Sequence, residues 1–305
     1  MVTVLTDDEV ARRLSAGDAV RWMGEAVDAH HRGDLIAPPR VHALLGDGSF
    51  AFTTGRLRGS WFGYRSYDTF PGGPGEQVVV VHDEHDGKVR AVAVGKELGP
   101  RRVGAIGAVA ADLLAPRDAG IVGLVGAGVQ AAMQVWGLAA VRTITELRVY
   151  SRDAARRLAF VDRVAPYVHG AVRAVDDAHS AVEGAAVVVL ATSSPTPVID
   201  PSWLAAGVYV TTLGPKQQGH AEFGLELADG AALLVTDSPA QIAAYDPPNV
   251  LVGSPHQARL VSLGSVRSGE VDRPMGPHRS VFFSVGLAGT EAFLLERLAA
   301  QLATG

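Results

Sequence analysis

The feature that most constrains the fold is a glycine-rich turn between an apolar run, 119–125, and a helix-compatible stretch, 129–141. This order predicts a strand, a turn and a helix. Gly126 permits the tight turn, Gly128 lets the backbone approach a pyrophosphate, and the small Ala131 allows helix and strand to pack. A pyrophosphate would bind the free N–H groups and the positive dipole end of the helix. The turn therefore predicts a dinucleotide site.

A second signal lies at the end of the next predicted strand, 147–150. The chain has Ser151 followed by Arg152, about 20 residues beyond Ala131, where such folds contact the adenosine ribose. An arginine fork binds a 2′-phosphate bidentately, whereas the carboxylate typical of NAD sites would repel it. We therefore predict NADP(H). In the alternative, Arg152 caps a surface turn and Asp153 serves NAD(H).

Composition excludes several classes of protein. The formal net charge of −5 gives no reason to expect a nucleic-acid partner. The absence of cysteine excludes disulfides, cysteine-zinc sites and thiol nucleophiles, and the scattered histidines show no metal-ligand spacing. The start of the chain has no signal-peptide pattern. The uncharged stretch 119–141 is long enough to span a bilayer, but the strand–turn–helix interpretation accounts for its glycines. We expect a cytoplasmic protein with no metal and no membrane segment.

The hydrophobic pattern predicts two α/β domains. Residues 116–279 alternate strand and helix, which implies a Rossmann-type, doubly wound parallel sheet with helices on both faces. Residues 1–115 and 280–305 are assigned to a substrate-binding and dimerisation domain, with strands from residue 41 and a hairpin over 77–94. Within residues 116–279 the predicted strands are 121–125, 147–150, 172–175, 186–191, 209–213 and 233–235. The tail 281–288 is interpreted as a glycine turn before a closing helix, 291–302.

Ligands of doubly wound sheets bind at the carboxyl ends of the strands, so the residues there are candidates for the cofactor site. The predicted cofactor-binding residues are Gly126, Ala127, Gly128, Val129, Gln130, Ser151, Arg152, Thr192, Ser193, Leu213, Gly214, Ser284 and Gly286.

An ordered set of short motifs resembles the ornithine cyclodeaminase/mu-crystallin family over residues 35–302. The motifs are Pro38-Pro39-Arg40, Gly63-Tyr64-Arg65 with Phe70-Pro71, Asp86-Gly87, Leu98-Gly-Pro-Arg-Arg102, Gly126-Ala-Gly-Val-Gln-Ala131, Ala191-Thr-Ser-Ser-Pro-Thr-Pro197, Gly214 with Ala221-Glu222-Phe223, and Ser284-Val-Gly-Leu-Ala288. The resemblance implies a homodimer with a nicotinamide cofactor in the second domain. Family members include cyclodeaminases, ketimine reductases, amino-acid dehydrogenases and oxidative enzymes of siderophore precursor synthesis, and mu-crystallin is also a binding protein.

The resemblance assigns Arg40 and Arg102 to the substrate carboxylate. Two guanidinium forks would fix an α-amino or α-imino acid with its α-carbon facing the nicotinamide. The alternative for either residue is a structural ion pair. Glu291 replaces the acidic residue usual after the Gly-Leu-Ala motif, as a helix N-terminal charge.

Two positions depart from the family pattern. Arg65 stands where the family has a catalytic lysine, and Lys216 stands where it has an active-site aspartate. An arginine can bind or polarise a substrate but is a poor proton carrier. Three interpretations of Lys216 are open: it is an acid or base whose pKa like charge depresses, it binds a second anionic group together with Arg65, or it points to solvent on a loop. His220 is a weaker candidate proton donor.

We therefore predict an NADP(H)-dependent oxidoreductase acting on a C–N bond of a small carboxylate-bearing substrate, with Arg65 and Lys216 as the catalytic candidates. Its reaction would be that of a ketimine or cyclic imine reductase or an amino-acid dehydrogenase. The alternatives are a redox-neutral amino-acid cyclodeaminase, which releases ammonia, and a catalytically silent NADPH-dependent binding protein.

Overall fold

The computed structural model describes residues 2–71, 75–274 and 276–304. The chain divides into two compact units, Met1–Arg102 with Gly286–Gly305, and Val103–Val285. The boundary falls inside helix α3 (Leu98–Leu114).

The first unit is an α/β unit whose elements come from both ends of the chain. It holds β1 (Thr3–Leu5), α1 (Asp7–Arg13), α2 (Ala16–His31), β2 (Leu35–Ile36), β3 (Val41–Leu44), β4 (Ser49–Leu57), β5 (Trp61–Asp68), β6 (Gln77–Asp83), β7 (Val89–Gly95) and α10 (Thr290–Thr304).

Local signals explain the helices of this unit. The backbone N–H of Thr6 donates to Glu9 Oε2 at 3.0 Å, as part of a capping box at the start of α1. Ser15 caps α2 by accepting from the Asp18 N–H at 3.1 Å. Gly33 then takes a positive φ of 79° just after the end of α2.

The sheet of the first unit is mostly antiparallel, in the order β1-β7-β6-β5-β4-β2, with β3 paired to β4. Helix α10 covers one face, where the rings of Trp61 and Phe293 meet edge to face with their centroids 6.1 Å apart. Strand β4 runs to Leu57, and within it Gly55 approaches Gly289 closely: a Cβ on Gly55 would lie 2.5 Å from the Gly289 Cα.

The second unit alternates strands and helices. It holds β8 (Ile121–Val125), α4 (Val129–Leu138), β9 (Glu146–Tyr150), α5 (Ala154–Val164), β10 (Ala171–Ala174), α6 (Ala178–Val182), β11 (Val187–Leu190), β12 (Tyr209–Thr212), β13 (Lys216–Gln217), β14 (His220–Ala221), α7 (Glu226–Asp229), β15 (Ala231–Thr236), α8 (Pro239–Ala243), β16 (Leu260–Ser262), α9 (Leu263–Arg267) and β17 (Arg279–Phe283), with 3-10 turns at Ala165–Tyr167, Pro201–Trp203 and Gln257–Arg259.

Its main sheet confirms the predicted Rossmann-type, doubly wound parallel architecture. All pairs are parallel, in the order β10-β9-β8-β11-β12-β17-β15-β16. The chain order runs in opposite directions on either side of the β8–β11 pair, which makes that pair the topological switch point where such sheets bind ligands. The strands at the centre are almost entirely buried, and β8 and β11 consist of aliphatic residues and one glycine, as expected when helices cover both faces.

Two details differ from the sequence prediction. Residues 281–283, interpreted as part of a glycine turn, belong to β17, which lies between β12 and β15 in the second unit's sheet. The unit boundaries also fall at 102 and 286, whereas the sequence placed them at 115 and 280. The later part of α3 belongs to the second unit, where the Gln134 side chain donates to the Val103 carbonyl at 3.0 Å.

No helix in the described parts of the chain combines the length and the apolar character needed to cross a bilayer. The uncharged stretch 119–141 instead contains β8 and α4.

Candidate active site

The glycine turn at the switch point is tightly constrained by the backbone around it. Gly126 takes a φ of 120°, its N–H donates to the Tyr150 carbonyl at 2.8 Å, and any Cβ there would overlap the Ala191 carbonyl oxygen. Only glycine therefore fits this position.

Gly128 is the N-cap of α4 and makes no side-chain cap, and a Cβ placed on it would meet nothing within 4 Å. Gly128, Val129 and Gln130 are exposed and Ala127 is half-buried, whereas Ala131 is fully buried against the strand. The first-turn N–H groups of α4 thus face open space and have no capping side chain, which is what an anion at a helix N-terminus requires.

The end of β9 presents an arginine to solvent. Arg152 is exposed and makes no hydrogen bond or ion pair with the described residues, so it does not cap a surface turn. Asp153, the alternative ribose ligand, is occupied as the N-cap of α5, where it accepts from the Arg156 N–H at 3.0 Å. Of the two candidate ribose ligands, Arg152 is therefore the one without a hydrogen-bond partner among the described residues.

Two arginines of α5 that sequence reasoning missed hold this rim in place. Arg157 Nη1 donates to the Ser151 carbonyl at 3.0 Å, and Arg163 Nη2 donates to the Gly128 carbonyl at 3.1 Å. Their positions in a helical stretch of the sequence gave no sign that their side chains contact the backbone after β9 and at the glycine turn.

The ends of β11 and β12 are joined by a buried carboxylate, Glu222. Its Oε2 accepts from the backbone N–H and the hydroxyl of Thr192, both at 2.8 Å, and its Oε1 accepts from the N–H groups of Leu213 at 3.0 Å and Gly214 at 2.6 Å. Ser193 is exposed beside this junction. Glu222 belongs to one of the family motifs of the sequence, but its residue type and neighbours indicated no role for it.

Ser284 follows β17 and is buried, with its N–H donating to the Thr212 carbonyl at 3.2 Å. The second unit thus brings together the predicted cofactor residues on β8, β9, β11 and β12, with Ser284 next to the end of β12.

The solvent interpretation of Lys216 is wrong. Lys216 is only 4% exposed, and it lies on β13, paired with Ala221 of β14. Its Nζ donates to the Leu213 carbonyl at 3.2 Å. His220 of the same hairpin is exposed.

The first unit contains a separate cluster of charged side chains around Glu291. Glu291 lies in the first turn of α10 and is 1% exposed. Its Oε1 accepts from Arg65 Nη1 at 2.8 Å and from Arg102 Nη2. Burial opposes ionisation, but the two guanidinium groups outweigh it and lower the pKa of Glu291 to about 2. Glu291 is therefore an anion at neutral pH.

Arg65 is held from three sides in this cluster. Besides Glu291, its Nε donates to Gln77 Oε1 at 3.0 Å, and its guanidinium carbon lies 4.3 Å from the centroid of the Tyr67 ring. A guanidinium so restrained can orient a ligand but cannot exchange protons.

Arg102 retains unused binding capacity. It is 4% exposed, and its Nε and Nη1 are buried without a hydrogen-bond partner among the described residues. A Cβ placed on Gly286 would lie 3.5 Å from Arg102 Nη1 and 3.5 Å from Arg40 Nη2. Gly286, predicted to contact the cofactor, thus lies between the two arginines predicted to bind the substrate carboxylate, and Arg40 Nη1 also donates to the Tyr67 hydroxyl at 3.5 Å.

Nowhere in 2–71, 75–274 and 276–304 do three or more histidine, aspartate or glutamate side chains form a group that could hold a metal ion.

Comparison with known proteins identifies relatives of this chain. The model of the ornithine cyclodeaminase/mu-crystallin family matches residues 2–298. An uncharacterized cyclodeaminase of Sinorhizobium fredii is 37% identical over 140 residues, which are 46% of this chain and 42% of that protein. Alanine dehydrogenase of Archaeoglobus fulgidus is 26% identical over 240 residues, 77% of this chain and 73% of that protein. The chain therefore matches well under half the length of the first relative and about three quarters of the second.

A solved structure shows the same fold. Thermococcus litoralis Δ1-pyrroline-2-carboxylate reductase, in complex with NADH and L-proline, superposes with a TM-score of 0.90 at 22% identity, over 99% of this chain and 98% of that one.

Proposed function

Because the chain belongs to the ornithine cyclodeaminase/mu-crystallin family, we propose that it is an NAD(P)-dependent oxidoreductase acting on a C–N bond of a small, carboxylate-bearing substrate. The relatives named as a pyrroline-2-carboxylate reductase and an alanine dehydrogenase support this class. The favoured reaction is reduction of a ketimine or cyclic imine.

The observation that carries the proposal is the state of Arg102. Its Nε and Nη1 are buried without a hydrogen-bond partner in the part of the chain that the structure describes, and buried guanidinium nitrogens are costly when they are not hydrogen-bonded. A substrate carboxylate would satisfy them, and Arg40 beside Gly286 would supply the second fork. The two forks would fix the orientation of the substrate, and Glu291 would hold the Arg102 guanidinium in place.

The glycine turn fits a dinucleotide because the space over Gly128 is open and the first turn of α4 carries no acidic residue. When bound, the dinucleotide would supply or accept a hydride. Arg152 favours NADP(H), since its exposed guanidinium can bind a 2′-phosphate, and NAD(H) is the alternative.

The proton requires another group. Arg65 is unsuited because it is permanently charged and is held by Glu291 and Gln77. We assign the proton transfer to Lys216 or to a water molecule, and we assign to Arg65 the role of orienting and polarising the substrate.

The first experiment follows the loss of NADPH absorbance with a panel of cyclic imino acids and of 2-keto acids paired with amines, with NADH in parallel. We expect turnover with one imine class, lost by at least a hundredfold in Arg102→Ala because two buried charge-assisted hydrogen bonds are worth about 3 kcal/mol or more. The matched control is Arg101→Ala, the preceding residue of α3, whose side chain pairs with Glu97 at 2.9 Å. Ammonia release with no net change in NADPH would establish the cyclodeaminase alternative, and tight NADPH binding without any turnover would establish a binding protein.

We also propose a homodimer formed through the face of the first unit's sheet opposite α10. Phe62, Val94 and Val4 are 39%, 37% and 58% exposed, and the strand register places all three on that face. Exposed large apolar side chains gathered on one sheet face favour an interface. Phe62→Glu should convert a dimer to a monomer in light scattering, whereas Leu158→Glu, at an exposed site on α5, should not. A cytoplasmic location stays a prediction.

A further inference from the structure

The junction at the ends of β11 and β12 is built around one buried carboxylate. Glu222 is 0% exposed and accepts four hydrogen bonds. The two oxygens accept from different strand ends. Oε2 accepts from the N–H and the hydroxyl of Thr192, which follows β11, and Oε1 accepts from the N–H groups of Leu213 and Gly214, which follow β12. Each oxygen therefore holds the end of a different strand.

The backbone at this point needs such a partner. The parallel ladder between the two strands ends with the Leu213 N–H donating to the Leu190 carbonyl at 2.9 Å. Beyond it, the amides of Thr192 and Gly214 have no ladder partner, and buried backbone donors are satisfied in nearly all proteins. Gly214 makes the arrangement possible, because a Cβ there would overlap both the Thr192 carbonyl oxygen and the Glu222 carboxylate.

The same carboxylate fixes the loop that carries Lys216. The Leu213 N–H donates to Glu222, and the Leu213 carbonyl accepts from Lys216 Nζ at 3.2 Å. The Glu222 N–H also donates to the Pro215 carbonyl at 2.9 Å, next to Lys216. One residue, Leu213, thus links the glutamate to the lysine ammonium group through its N–H and its carbonyl.

We propose that Glu222 is a positioning residue for the nicotinamide half of the cofactor site and for Lys216. The inference rests on the proposed function. In a doubly wound sheet the dinucleotide lies across the switch point, so its adenosine half lies over β8 to β10 and its nicotinamide half over β11 and β12. Glu222 acts only on the second half, by holding the strand ends and the Leu213 carbonyl in one arrangement.

The test compares the intact full-length protein with Glu222→Gln, using NADPH and adenosine 2′,5′-bisphosphate as probes. In the variant, the glutamine amide nitrogen replaces one carboxylate oxygen and faces the N–H groups of one strand end. Because this nitrogen cannot accept hydrogen bonds, that strand end is released. We expect NADPH to bind about tenfold more weakly, while adenosine 2′,5′-bisphosphate, which needs only the adenosine half, changes less than about twofold. The control Glu226→Gln alters an exposed carboxylate four residues later and should leave both affinities unchanged. NADH and ADP provide the same comparison if the protein prefers NAD(H).

A second measurement does not depend on any ligand. Hydrogen exchange should accelerate about tenfold in Glu222→Gln at the amide of Thr192 or of Gly214, whichever strand end is released, with the amides of β8 unchanged. Equal weakening of both nucleotide probes, or unchanged exchange at both of these amides, would overturn the positioning role. If the wild-type protein binds no nucleotide, but Glu222→Gln still accelerates exchange at these amides, the proposed function would be overturned instead.

A milder pair of variants guards against misfolding of Glu222→Gln. Thr192→Val removes one of the four donors, the hydroxyl at 2.8 Å, and Thr192→Ser keeps it. If Glu222 positions this half of the site, Thr192→Val should raise KM for NADPH several-fold without changing the imine KM, and Thr192→Ser should restore it. In the double variant Thr192→Val/Glu222→Gln the two effects should not add, because both act on the same hydrogen bonds.

Discussion

Arg65 Nη1 lies 2.8 Å from Glu291 Oε1, although the two residues are 226 positions apart in the chain. The same oxygen accepts from Arg102, and Glu291 Oε2 has no hydrogen-bond partner among the described residues. One buried carboxylate thus neutralises part of the charge of two arginines. Arg65, which the family resemblance matches to a catalytic lysine, is thus a fixed arginine held in an ion pair.

We predict that Glu291→Gln destabilises the first unit. Removing one partner of a buried ion pair leaves uncompensated charge and costs about 3–5 kcal/mol. Urea unfolding of wild type and variant at pH 7 measures the loss. The control is Glu25→Gln, which breaks the surface pair with Arg297 at 2.8 Å, where both side chains are about 40% exposed; that change should cost under about 1 kcal/mol. Equal losses in the two variants would contradict a structural role for the buried pair.

The stability that Glu291 provides should depend on pH in a defined direction. Its pKa is lowered from 4.5 to about 2, because the charges of Arg102 and Arg65 outweigh the effect of burial. A carboxyl with a lowered folded-state pKa stabilises the fold fully above its unfolded pKa and loses that contribution as the pH falls toward the folded pKa. The difference in unfolding free energy between wild type and Glu291→Gln should therefore be constant above about pH 5 and shrink between 4.5 and 2. A difference that grows on acidification would show that the sign is wrong.

Cofactor choice provides a third prediction. If Arg152 binds a 2′-phosphate, Arg152→Ala should weaken NADPH about tenfold or more and leave NADH unchanged, since charge-assisted hydrogen bonds are worth about 1.5–3 kcal/mol. Arg156→Ala is the control, because Arg156 is 80% exposed on α5 and pairs only loosely with Asp153, at 3.5 Å. Nucleotide titrations followed by fluorescence would measure both affinities. Parallel losses for NADPH and NADH would place Arg152 away from the 2′ position.

The sequence predicted features whose physical causes are local. The glycine turn and most strands of the parallel sheet follow from residue types within a short window. Strand β17 was missed because its apolar run leads directly into glycines, which also suit a turn. Only its pairing with β12 and β15 makes it a strand.

The parts of the site that sequence reasoning missed depend on contacts between distant residues. Glu222 meets Thr192 across 30 positions, and Arg163 reaches the Gly128 carbonyl across 35. Nothing in the neighbouring residues distinguishes such a glutamate or arginine from one in solvent. The sequence left the environment of Lys216 open for the same reason, because its burial comes from the β13–β14 pair and from the backbone of Leu213.

The two glycines of the turn should respond differently to substitution, because one is constrained by the protein and the other by the ligand. Gly126→Ala should destabilise the fold by more than about 1 kcal/mol, since its φ of 120° is unfavourable for alanine and the Cβ would overlap the Ala191 carbonyl oxygen. Gly128→Val should leave the unfolding temperature nearly unchanged, because the space beside it is open, but the side chain would occupy the position of a pyrophosphate and abolish NADPH binding. Thermal unfolding and nucleotide titration of both variants separate these effects. A Gly128→Val protein that still binds NADPH with wild-type affinity would show that the cofactor does not lie over this turn.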